Sequence, residues 1–172
     1  MKKIGIVTDS HSSISQEEAE KLGIFVLPMP FYIDGECYYE SVTLSRELFF
    51  EKLAAGADIT TSQPSPTAVM EIWDKALEQF EKILYLPISS GLSGSYETAM
   101  MLAKDEAYEG RVLVVDDGQV AAPLHQMVLD TLDMIKKGYE AEQIRDLLER
   151  AGDRMMIYIA LQTLECLKKG GR

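Results

Sequence analysis

Serines, threonines and glycines crowd three short stretches of the chain: "TDSHSS" at 8–13, "TTSQPSP" at 60–66 and "SSGLSGSY" at 89–96. Hydroxyls and glycine amides gathered at helix starts suit the holding of an anion such as a carboxylate or phosphate. A helix start offers unpaired N–H groups and a partial positive charge. The same residue types also cap helices with no ligand involved. Ser15 and Ser65 are assigned to capping. Thr61 and Ser93 each stand among neighbouring hydroxyls where one cap would suffice, and both roles stay open for them.

Two catalytic readings compete with anion binding. "GLSG" around Ser93 resembles a nucleophile elbow, but Ser95 stands where G-x-S-x-G ends in glycine, and the histidines available are His11 and His125. A phosphoryl-transfer enzyme is the other: Asp9 and the Asp116–Asp117 pair both follow expected strands and could meet around Mg²⁺. Aspartates in that position equally bond loop amides. The glycines form neither G-x-x-x-x-G-K-[ST] nor G-x-G-x-x-G, so nucleotide binding has no motif behind it.

These loops must be carried by strands and helices, and the pattern alternates between the two. Apolar runs at 3–7, 24–27, 83–86 and 112–115 read as short buried strands, and 154–160 as a last one. "ISQEEAEKLG" is a helix with Ser15 as N-cap, Glu18 in the capping-box position and Gly23 as its stop. Asp34-Gly35 can turn a small hairpin. Thr43 or Ser45 caps "RELFFEKLAAG", with Leu48, Phe49 and Leu53 expected toward the core.

The helix after Ser65 opens on Pro66 and aligns Val69, Ile72, Trp73, Ala76 and Phe80. The next places Tyr96, Ala99, Met100 and Ala103 on one side. Two more run over 123–137 and 142–151, the second with Ile144, Leu147 and Leu148 inward. Repeated βα units with apolar strands predict an α/β fold, a mainly parallel sheet covered by helices on both faces. In such sheets ligands collect beyond the carboxyl ends of strands. "TDSHSS" and "SSGLSGSY" follow strands directly, whereas "TTSQPSP" follows none clearly.

Bulk properties exclude several classes. The net charge of −11 argues against a nucleic-acid or anionic-membrane surface, since the one basic knot is Lys168, Lys169 and Arg172. Cys37 and Cys166 lack the spacing of a zinc site or a disulfide framework, which fits a reducing cytoplasm. "MKKIGIVTDSH" breaks off too early for a signal peptide, and no run approaches the roughly 20 apolar residues that span a bilayer. No cofactor is expected.

In order, "VTDSHSSIS", "TTSQPSP", "ISSGLSGSYETA" and "LECLKKGGR" resemble the DegV family of bacterial fatty-acid-binding proteins. The resemblance implies a first α/β domain over 1–153, with 154–172 beginning a connector or second domain whose remainder would make this chain part of a longer protein. It also implies a non-enzymatic carrier for one long-chain fatty acid, presented to a separate fatty acid kinase. Carried over by motif, Thr61 and Ser93 contact the carboxylate, with Ser62 and the Gly94 amide beside them, and Arg172 faces the partner or the transfer. Ile88, Leu92, Met100 and Met101 are candidates for the sleeve around the tail. One segment departs from the family pattern. In "VVDDGQVAAPLHQMV", Asp117, Pro123 and His125 stand where a serine and small, glycine-containing residues are usual.

Overall fold

The computed structural model describes residues 2–40, 42–158 and 160. The chain divides into two compact units, one formed by Met1–Leu27 with Ser65–Met156 and one built on Pro28–Pro64.

In the first unit four parallel strands lie in the order β2-β1-β6-β7: β1 (Lys2–Asp9), β2 (Phe25–Leu27), β6 (Phe80–Leu86) and β7 (Val112–Val114). Their side chains are apolar on both faces, so both faces need covering. One face carries Ile4, Ile6, Leu84, Leu86 and Leu113 against α1 (Gln16–Leu22), α5 (Ala121–Lys136) and α6 (Ala141–Gly152). The other carries Val7, Ile83, Tyr85, Val112 and Val114 against α3 (Pro66–Leu77) and α4 (Ser95–Leu102). The α/β architecture with a parallel sheet is therefore as the sequence predicts.

The caps match the sequence reading closely. Ser15 accepts from the Glu18 amide, Ser45 from Leu48 and Ser65 from Ala68, and Pro66 occupies the first turn of α3. Phe80 is a correction: α3 ends at Leu77, and Phe80 opens β6 instead of closing the helical stripe. In α6 the buried line runs Ala141, Ile144, Leu148; Leu147 lies to its side and is exposed. The strand expected over 154–160 is not formed at 155–158, where Met156 and Tyr158 are exposed. β-propensity makes no strand without a neighbouring edge to pair with.

The second unit is an antiparallel sheet, β4-β3-β5, with β3 (Pro30–Ile33), β4 (Glu36–Tyr39) and β5 (Ile59–Thr61), plus α2 (Arg46–Ala54). Asp34 (φ 51°) and Gly35 (φ 85°) turn the β3–β4 hairpin, the left-handed pair that a two-residue turn of this kind requires. No residue of α2 is buried, and Leu48 and Leu53 are exposed, against expectation. Phe49 instead meets Phe31 edge-on at 5.6 Å. A unit this small has little sheet for a helix to cover.

Candidate functional site

In the first unit β1 has β2 on one side and β6 on the other, so the chain's direction of travel across the sheet reverses at the β1/β6 boundary. Loops leaving the carboxyl ends of two such strands diverge and open a crevice. Both of the polar loops that follow these strands start there, "DSHSS" from β1 and "PISSGLSGS" from β6.

Asp9 ties the two loops together. Its carboxylate is fully buried; Oδ1 accepts from the His11 amide at 2.9 Å and meets His11 Nδ1 at 3.2 Å, while Oδ2 accepts from the Ile88 amide at 2.8 Å. The neighbouring Thr8 hydroxyl donates to the Leu86 carbonyl at 2.8 Å and Ser12 to the Asp9 carbonyl at 2.8 Å. A buried carboxylate is tolerable only when its oxygens are bonded in this way.

A third loop, after β7, closes the group from the side. Asp116 Oδ1 accepts from the Ser90 and Gly118 amides, each at 3.3 Å, and the Gln119 carbonyl accepts from the Ser89 amide at 2.9 Å. Asp9 and Asp116 therefore brace loops through amides; among the described residues no three His, Cys, Asp or Glu side chains are grouped to hold a metal ion.

The braced loop carries Ser93 and Gly94 into α4. Ser93 is half-buried; its hydroxyl shares a 2.8 Å hydrogen bond with that of Ser95 and accepts from the Ser95 amide at 3.3 Å. Gly94 is exposed at the N-cap position of α4, and no side chain caps the helix. A helix start of this kind retains amides able to receive an acceptor from outside. The Asp–His half of a hydrolase triad exists in Asp9 and His11, but Ser93 is hydrogen-bonded to Ser95. His125 instead pairs with Glu18 at 3.2 Å.

Thr61 and Ser62 belong to the second unit. Thr61 ends β5 opposite Phe31, and it and Ser62 are exposed. Ser62 donates its amide to the Pro30 carbonyl at 3.4 Å and its hydroxyl to the Gln63 carbonyl at 3.1 Å. "TTSQPSP" thus begins inside a strand, its first two residues ending β5, where the sequence reading found no clear strand before it. The three-residue "ITT" is too short to stand out from its loop by pattern alone. Arg172 lies outside the described residues. Of the sleeve candidates Ile88 is buried, whereas Met101 is 73% exposed.

The departing segment places Gln119 and Ala121, which motif reading did not single out, beside the Asp117 that it did. Asp117 is buried, and burial pushes its carboxyl up to about 7; the Gln119 amide, donating to Oδ1 at 2.9 Å, works against this, while the Asp116 and Asp9 charges add to it. Gln119 is buried too, and its Nε2 donates to the Asp117 carbonyl at 3.0 Å. Ala121 enters α5 at φ 55°, a left-handed conformation that favours glycine. Burial, followed by the Asp116 charge, also raises the Tyr96 hydroxyl on α4.

The profile of the DegV family matches residues 3–172. A DegV domain-containing protein of Deinococcus radiodurans is 35% identical over 170 residues, covering 98% of this chain and 60% of that protein. A DegV family protein from Thermus thermophilus, whose structure is described as one of fatty acid binding, aligns with a TM-score of 0.85 at 33% identity, over 99% of this chain and 60% of that one. A stearic-acid-binding protein from Eubacterium ventriosum aligns with a TM-score of 0.73 at 25% identity, over 87% of this chain and 52% of that one. The chain spans about three-fifths of the length of the curated relatives it matches.

Proposed function

Since this chain belongs to the DegV family, we propose that it is a carrier, not a catalyst, that holds a long-chain fatty acid by its carboxylate. Ser93 supplies a hydroxyl and Gly94 an amide for the head group, and Thr61 and Ser62 are carried over from the family motif as further hydroxyl contacts. The observation that carries this reading is the start of α4: an exposed Gly94, a half-buried Ser93 and no side-chain cap, on a loop pinned by Asp9 and Asp116. Relatives described as binding fatty acids support the choice of anion.

A carboxylate needs few donors, whereas the tail contributes about 0.8 kcal/mol per buried methylene. Affinity therefore comes from the tail and orientation from the hydroxyls. The finer part of the proposal places the carrier in the cytoplasm, where a fatty acid kinase takes the presented acid and Arg172 serves the partner side. It also takes 1–153 as the ligand-binding domain and 154–172 as the start of a connector or second domain.

The test is a Thr61→Ala, Ser93→Ala double variant, made in this chain and in a two-domain relative. Removing two donors to a charged acceptor, each worth about 1.5–3 kcal/mol, weakens binding by about 3–6 kcal/mol, roughly a hundredfold or more. Retention of a radiolabelled long-chain fatty acid is expected to fall by that factor with an unchanged circular dichroism spectrum. Unchanged retention in the relative, where binding is measurable, would count against the site.

A further inference from the structure

Among the described residues, two oxygens beneath the Ser89–Ser95 loop have no hydrogen-bond partner: Asp117 Oδ2 and Gln119 Oε1. Both side chains are fully enclosed, at 1% and 2% exposure. Three other polar groups of this pair are bonded, Asp117 Oδ1 to the Gln119 amide, Gln119 Nε2 to the Asp117 carbonyl, and the Gln119 carbonyl to the Ser89 amide. A buried ionised carboxylate oxygen with no partner is among the most costly arrangements in a folded protein. A proton on Oδ2 removes the charge and turns one of the two orphan acceptors into a donor.

The surroundings do not favour the charged form. Asp9, at the end of β1, and the adjacent Asp116 both act on Asp117 with charge of its own sign. His11 is engaged with Asp9. On α6, Glu149 accepts from the Asp116 amide and is itself raised, chiefly by burial; Arg145 is the cation that acts on Glu149. Among the described residues, the forces acting on Asp117 are burial, the Gln119 amide and the Asp116 and Asp9 charges, with no cation among them.

We infer that the folded protein holds Asp117 in its protonated form, and that ionisation of this one carboxyl loosens the Ser89–Ser95 loop above it. The route is the Gln119 carbonyl, which anchors Ser89, the first serine of the loop. The protonation itself is independent of the ligand. Its consequence for binding rests on the reading of Ser93 and Gly94 as carboxylate contacts.

The direction with pH follows from linkage. Burial holds the folded-state value near 7, above the ordinary 3.8, so between those limits the folded state binds more protons than the unfolded chain. Stability from this group is complete below the unfolded value, falls as pH rises through the window, and levels off above about 7. Across it the folded-to-unfolded ratio drops by up to about a thousandfold.

Asp117→Asn, which keeps the shape and carries a permanent donor, tests this in the 172-residue chain. Thermal midpoints of both proteins are measured from pH 5 to 8.5, with amide protection factors for residues 89–95. The wild type is expected to lose stability relative to the variant between pH 5 and about 7, with no further relative loss above that, and to lose protection at Ser89 and Ser93 as pH rises through about 7. Parallel profiles overturn the inference. Should the variant fail to fold, ¹³C titration of the wild-type carboxyl decides: an ordinary aspartate value overturns it, a value near neutrality supports it. A fatty acid titration at pH 5.5 and 8 separates the two readings. An Asp117 that titrates near neutrality without any fatty acid binding defeats the carrier reading alone, and binding with an ordinary Asp117 defeats this inference alone.

Discussion

Gly152→Ala is the perturbation whose outcome the packing decides most sharply. Gly152 is the last residue of α6, and a Cβ there would stand 2.1 Å from the Asp117 carbonyl oxygen and 2.6 Å from its carbon. Alanine in place of glycine ordinarily stabilises a helix by up to about 1 kcal/mol. Here the obstacle is backbone, which must retreat by about 1 Å to reach van der Waals separation. Overpacking of this kind costs about 1–3 kcal/mol, and a main-chain obstacle lies at the upper end.

The net expectation is therefore a loss of about 1–2 kcal/mol, or about 2–8 °C in thermal midpoint for a chain of this size. Urea unfolding with the slope unchanged is the assay, accompanied by amide spectra. Because the displaced segment bonds the Ser89 and Ser90 amides, those two signals should move although both are remote from residue 152 in sequence. A variant as stable as the wild type, with Ser89 and Ser90 unmoved, would refute the claim that α6 presses directly on the floor of the loop.

Two further substitutions bear on the same region. Ala121→Gly relieves a left-handed alanine at φ 55° and is expected to raise stability by about 0.5–1 kcal/mol once glycine's greater chain entropy is counted, measurable by calorimetry. Asp9→Ala strands the Ile88 and His11 amides and is expected to cost about 3 kcal/mol or more, read by denaturant titration; a loss under about 1 kcal/mol would mean the two loops are held by something else.

Local chemistry was legible in the sequence, and convergence was not. Serine caps at 15, 45 and 65 are decided within three residues of themselves, so type and spacing suffice to find them. The Asp34-Gly35 turn is equally local. Asp9 could be read as an aspartate that bonds its own turn, but its grip on Ile88, across 79 positions, depends on β1 and β6 being neighbours. Nothing in "GQVAA" announces a glutamine fixed beneath a serine loop. Gly152 carries no sign of itself either, because its glycine is demanded by the approach of a distant carbonyl and not by its own dihedral angles. The exposed Leu48, Leu53 and Leu147 show the opposite failure, apolar residues at helical spacing that no described residue buries.

The central claim, that Ser93 and Gly94 receive the head group of a fatty acid, is tested most directly by titrating ¹⁵N-labelled protein with palmitic acid and, in parallel, with its methyl ester. The acid is predicted to shift the amides of Ser93, Gly94 and Ser95 strongly and the ester to leave them nearly in place. Equal shifts from both compounds, or shifts from the acid confined to other parts of the chain, would contradict it.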